Sequence, residues 1–113
     1  MTRPNKLTEA PPYPVSQAIT SLGSNLRIAR LRRNLSIEAV AAKIGTSRRV
    51  VADAEKGKAS TAIAVYVALL WAYDLLGQFN PVADPLRDQE GIALARTRER
   101  VHARRTEALD NDF

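Results

Sequence analysis

Two adjacent arginines, Arg48 and Arg49, open a short amphipathic stretch from Ser47 to Lys56. A guanidinium presents two parallel N–H donors that match the O6 and N7 acceptors of a guanine edge, a pairing that discriminates between bases by roughly 1–3 kcal/mol. The alternative for both is a solvated basic turn. Val50, next in line, suits either a thymine methyl group or a plain surface position. Asp53 lies one turn beyond Arg49 and is expected to orient it through an i,i+4 pair. Thr46 and Ser47 can cap the helix or donate to a phosphate. Lys56 and Lys58, on either side of Gly57, are read as phosphate contacts, with Arg27 as a further one.

Reaction chemistry has no such foothold. The sequence contains no paired Ser/His or Cys/His arrangement and no Gly-rich phosphate loop. The single histidine, His102, stands in an arginine-rich segment and reads as solvated. Asp84, Asp88 and Glu90 read as acids facing the positive end of a helix macrodipole, in preference to metal ligands. Neither enzymatic activity nor a cofactor or metal is expected. The absence of cysteine excludes disulfides and thiolate metal sites and is compatible with a reducing compartment, so a cytoplasmic location is expected. The longest apolar run, Ala62 to Tyr73, is too short to span a bilayer, and the first residues form no apolar targeting stretch.

Charge is unevenly distributed. The chain of 113 residues carries a formal +5. Residues 22–58 hold nine Lys and Arg against three acids, whereas residues 84–113 hold six Arg against seven acids. Basic charge is thus concentrated around Arg48 and Arg49, as neutralisation of a phosphate backbone requires.

The elements that position these residues follow from periodicity. Val40, Ala41 and Ile44 share one face of a helix over Ser36 to Ile44, and Val51 and Ala54 share one face of the next. Gly45 stands between the two, where a helix end commonly takes a left-handed backbone. Residues 1–17, with Pro4, Pro11, Pro12 and Pro14, read as a disordered arm. The first predicted helix runs from about Ser21 to Arg33, burying Leu22, Leu26, Ala29 and Leu31. A fourth is capped by Ser60, reaches about Leu76 and is ended by Gly77. The fifth starts at Asp84-Pro85 and extends to about Arg105, with Glu107 to Phe113 fraying. Residues 18–80 therefore form the main domain and residues 81–113 a helical extension. The fourth helix carries more apolar surface than one small domain can bury. Trp71, Tyr73 and Leu75 are accordingly assigned to a homodimer interface, the alternative being that the aromatics cap the domain's own core.

Residues 22–58, LGSNLRIARLRRNLSIEAVAAKIGTSRRVVADAEKGK, resemble the lambda-repressor/Cro-like, or XRE, family of helix-turn-helix regulators. Leu22-Gly23, Arg27, Arg30, Leu35-Ser36, Ala41, Gly45, Ser47-Arg48 and Glu55-Lys56-Gly57 match at fixed offsets. Ile37 departs from a glutamine usual in the family, and Val50 from a common polar residue. The resemblance implies an all-α, five-helix fold with a C-terminal helical extension, binding to double-stranded DNA, and an Arg30–Glu55 pair tying the first helix to the third. A second, shorter resemblance links Leu70-Trp71-Ala72, Leu75-Leu76, Ala83-Asp84-Pro85, Arg87-Asp88 and Glu90-Gly91 to HipB-like antitoxins. It implies an autorepressor that also holds a HipA-like kinase toxin. Arg96, Arg98, Arg100, Arg104 and Arg105 then bind the toxin, extend the DNA footprint or simply form a solvated face. A stand-alone XRE-type repressor or activator, or an interaction module that binds DNA weakly, are the alternatives.

Overall fold

Four consecutive helices end in the same way, and that repeated ending shapes the molecule. The computed structural model describes residues 5–111, which form six helices and no strand. These are α1 (Lys6–Glu9), α2 (Tyr13–Arg32), α3 (Ile37–Ile44), α4 (Arg48–Glu55), α5 (Ile63–Ala72) and α6 (Gln89–Asn111), with a 3-10 turn at Leu76–Gln78. After α2, α3, α4 and α5 the chain turns through a left-handed residue, respectively Asn34, Gly45, Gly57 and Asp74. Each time the next N–H reaches back five residues: Leu35 to Arg30, Thr46 to Ala41, Lys58 to Asp53 and Leu75 to Leu70, all at 2.8–3.2 Å. This Schellman closure satisfies carbonyls that a helix end leaves unpaired and reverses the chain within two residues.

The chain divides into two compact units, residues through Phe79 and residues from Asn80 onward. In the first, Leu26, Val40, Val51, Leu69 and Tyr73 are fully buried and hold α2 to α5 around one core. Ile19, Leu22, Leu35, Ile37, Ile44 and Leu75 pack against its edge. The i,i+3 and i,i+4 pattern of α3 and α4 is realised as expected, with Val40 and Ala41 buried on one and Val51 and Ala54 on the other.

Several expectations are corrected. The segment expected to be a disordered arm is helical over Lys6–Glu9 and again from Tyr13, its residues 1–4 lying outside the described residues. Pro12 is the N-cap of α2 and Pro14 falls in its first turn. There a proline has no N–H to waste, and its fixed φ suits the helix, so the prolines start a helix here. Leu31 is exposed; its place facing the core is taken by Arg30. Ser60 does not cap α5, which begins after Ala62, and α5 ends at Ala72 because Asp74 adopts the left-handed conformation before Gly77 is reached.

In the second unit the last helix begins at Gln89, five residues after Asp84. Asp84 instead accepts from the Leu86 N–H at 3.0 Å in a tight turn, and Asp88 accepts from the Gly91 N–H at 2.9 Å, capping α6. Gly91 leaves room for that carboxylate, since a Cβ would collide with it. The helix continues through Asn111 where fraying was expected from Glu107; Asp112 and Phe113 lie outside the described residues. Among the described residues no helix is long and apolar enough to cross a membrane.

Candidate nucleic-acid interface

α4 is fixed to α2 by a buried ion pair and a backbone contact. Arg30 Nε donates to Glu55 Oε2 at 2.8 Å and Nη2 to Oε1 at 3.0 Å, a bidentate fork. The third arm, Nη1, donates to the Leu35 carbonyl at 2.9 Å, so the same guanidinium also holds the turn into α3. The hydrogen bonds that Arg30 donates to Glu55 raise its pKa above the ordinary value, against the opposing effect of burial. Beside this pair, Gly23 of α2 lies directly on the end of α4. A Cβ there would stand within 3.0 Å of the Ala54 and Glu55 carbonyls and the Gly57 nitrogen. Gly57 in turn approaches the α2 backbone at Ile19 and Thr20, with φ +73. The two glycines let two backbones touch where side chains would hold them apart.

Tyr73 belongs to this buried assembly. It is 1% exposed, and its ring lies under the Arg33 guanidinium at 5.7 Å. Its hydroxyl has no hydrogen-bond partner among the described residues, and burial, aided by the Glu55 charge, pushes its pKa up to about 12. Its assignment to a dimer interface is therefore corrected: the side chain is spent inside the protomer. Leu75 is half-buried against the core, while Trp71 remains 52% exposed, with Lys43 Nζ 5.6 Å from its ring centre.

The outer face of α4 carries the arginines. Ser47 is the N-cap, its Oγ accepting from the Val50 N–H at 3.3 Å. Arg48 and Arg49 follow in the first turn, both exposed. Arg48 Nη1 lies 3.4 Å from Glu38 Oε1 on α3; both side chains are well exposed, so the pair is weak and readily exchanged for another acceptor. Arg49 has no ion-pair partner among the described residues, and neither have Arg27 and Lys56. The expected Arg49–Asp53 pair does not form. Asp53 faces Lys58 instead, Nζ to Oδ2 3.6 Å, because the turn at Gly57 folds Lys58 back onto the Asp53 carbonyl. Val50 is half-buried and lines a shallow groove with Thr46, Asp53, Lys58, Thr61 and Val65.

All three acids of residues 22–58 are thus occupied, Glu38 by Arg48, Asp53 by Lys58 and Glu55 by Arg30. Sequence reasoning missed Glu38 and the Thr61 side of the groove. Both depend on contacts between elements, and only the scarcity of acids in a basic segment hinted that each would find a cation.

A short helix locked at its C-terminal end, preceded by a glycine turn and a second short helix, with exposed guanidinium groups on its outer first turn, defines a helix-turn-helix DNA-binding protein. Residues 26–75 match the family model described as Helix-turn-helix. This segment belongs to the lambda-repressor/Cro-like, XRE-type class, and the protein is a DNA-binding transcriptional regulator. No curated protein and no solved structure matches the chain.

Proposed function

We propose that the protein reads a specific operator as a homodimer, with α4 inserted in the major groove. The observation that carries this reading is Arg49: a guanidinium unpaired among the described residues, in the exposed first turn of a helix whose far end is bolted to α2. Arg48 and Arg49 read guanine edges and Val50 a thymine methyl. Ser47, Lys56, Lys58 and Arg27 hold phosphates, Lys58 by exchanging Asp53 for the backbone. Selection of bound sequences from a random duplex pool tests the reading. Arg49→Ala is then expected to lose about 1–3 kcal/mol on the selected operator and to relax preference at one base pair per half-site. An equal loss on random duplex would make Arg49 a phosphate contact. For the homodimer, exposed Trp71 and Ile63 on α5 are the apolar surface available for a twofold partner. Light scattering of Trp71→Ala should then report a shift toward monomer.

A second reading makes the protein the autorepressing antitoxin of a HipA-like kinase toxin. It is supported by the resemblance of residues 70–91 to HipB-like antitoxins and by a second unit that exposes Leu94, Val101 and Leu109. Truncation after Val82 should then abolish capture of a kinase encoded beside this gene while the operator preference persists. Retained capture by the truncated chain would move the toxin contact to the first unit, and a full chain that captures no such kinase would leave a stand-alone repressor or activator.

A further inference from the structure

α6 carries a basic block that the operator-reading surface does not use. Residues 92–106 hold five arginines and one acid, and apart from His102 every basic residue from Asn80 onward is arginine, never lysine. Apart from Glu99 within it, the acids from Asn80 onward flank the block: Asp84, Asp88 and Glu90 before it, Glu107, Asp110 and Asp112 after it. Arg96, Arg100 and Arg104 recur every four residues, so with 3.6 residues per turn they fall within about 80° of arc on one side of α6. All three are exposed. Glu99 and Glu107 lie three residues beyond Arg96 and Arg104, within the reach of a helical pair, yet no ion pair to the stripe forms among the described residues.

We infer that the Arg96–Arg100–Arg104 stripe is a second phosphate-binding surface, which grips the backbone of duplex DNA outside the bases read by α4. Successive arginines of the stripe rise about 6 Å along the helix axis. Every second phosphate of one DNA strand lies about 6.8 Å further along the duplex axis, so each side chain meets its own acceptor. Arginine suits the task because its planar fork pairs with two phosphate oxygens at once. Ala93 and Ala103 on this side are small and let the helix approach the backbone closely along Arg96 to Arg104, with Glu107 on the same side at the C-terminal end. A protein partner would want the reverse, a desolvated apolar centre with few charges. The apolar side chains stand on the other side of α6, where Leu94 and Val101 lie beside Thr97, Arg98, His102 and Arg105. The two sides of one helix are therefore assigned different partners. Tethering to the helix-turn-helix unit raises the local concentration of DNA at α6, so weak contacts suffice.

The inference rests on the operator-binding reading, and the test separates the two. Affinity of the full chain for its selected operator, in a long duplex, is measured against salt concentration. The variants are Arg96→Gln/Arg100→Gln/Arg104→Gln and, as a control on the other face, Arg98→Gln/Arg105→Gln. The triple variant should flatten the slope of log affinity against log salt by up to about 2.7 per protomer, about 0.9 for each phosphate contact. Its base preference should not change, and circular dichroism should report an intact helix. The control should keep the wild-type slope. An unchanged slope in the triple variant overturns the inference while the operator reading stands, as does loss of a protein partner with the DNA slope intact. An equal drop in the control also overturns it, because bulk charge would then explain both. A wild-type chain that binds no duplex overturns both readings.

Discussion

α4 and α6 both turn arginines to solvent, but they hold them by different means. α4 is eight residues long and buries Val51, Ala54 and Glu55, so α2, α3 and α5 all meet it. α6 is 23 residues long, and every residue from Ala93 to Asp110 is exposed. A helix of α4's length has no stability of its own, so tertiary contacts determine both its existence and its angle. α6 relies on its Asp88 cap and on local bonds such as Thr97 and Thr106 Oγ1 to the carbonyls four residues back. Reading a base edge demands a guanidinium placed within a fraction of an ångström, and a bolted helix delivers that. Gripping a phosphate backbone tolerates movement. On the roles proposed for them, the contrast between the two helices follows the demands of their ligands.

Breaking the bolt gives the largest expected effect. Glu55→Ala leaves Arg30 buried and unpaired, so chemical denaturation should report a loss of about 3–5 kcal/mol. A loss below 1 kcal/mol would mean that water replaces the carboxylate and that the pair does not anchor α4. Next comes Gly23→Ala, which drives a methyl group into the carbonyls at the end of α4. It should cost about 1–3 kcal/mol and weaken operator binding beyond the loss of folded protein, because α4 must tilt to make room. Unchanged operator affinity would show that the tilt of α4 is set elsewhere.

Tyr73 sharpens the comparison through pH. Its hydroxyl stays protonated in the fold up to about 12, whereas in the unfolded chain it ionises near its ordinary 10.0. The folded-state value is the raised one, so the stability it contributes is complete below pH 10 and declines as pH climbs from 10 toward 12. Tyr66, raised in the same direction by burial, adds to that decline. Tyr73→Phe should remove the Tyr73 share of the alkaline loss. At neutral pH it should leave stability unchanged or slightly higher, since the deleted hydroxyl has no partner. A neutral-pH loss above about 1 kcal/mol would point to a buried water bound there. The smallest effect belongs to α6: Leu94→Ala should stay within about 0.5 kcal/mol in the same denaturation experiment. A larger loss would show that α6 packs against something within the chain.

Much of the first unit was legible along the chain because its signals are local. Alternation of Val40, Ala41, Val51 and Ala54 with polar residues needs only the helical period to be read, and Gly45 marks its turn by its own conformational freedom. Arg48 and Arg49 were placed on the exposed start of α4 by that same period. The Arg30–Glu55 pair, 25 residues apart, was legible through family resemblance alone, since no periodicity links residues at that distance. What the tertiary structure decided lies where one element meets another. The helix that Pro12 and Pro14 start brings Ile19 and Thr20 against Gly57, a backbone contact that the proline run does not announce. Asp53 takes Lys58 over Arg49 because a left-handed glycine folds the chain back. Tyr73 goes inside and Trp71 outside although both lie in one apolar run, because α5 ends at Ala72 and the Asp74 turn rolls the tyrosine under Arg33. Composition and period determine which residues can be buried or exposed; which of them are depends on the path of the chain through its turns, and that path is set by contacts far apart in sequence.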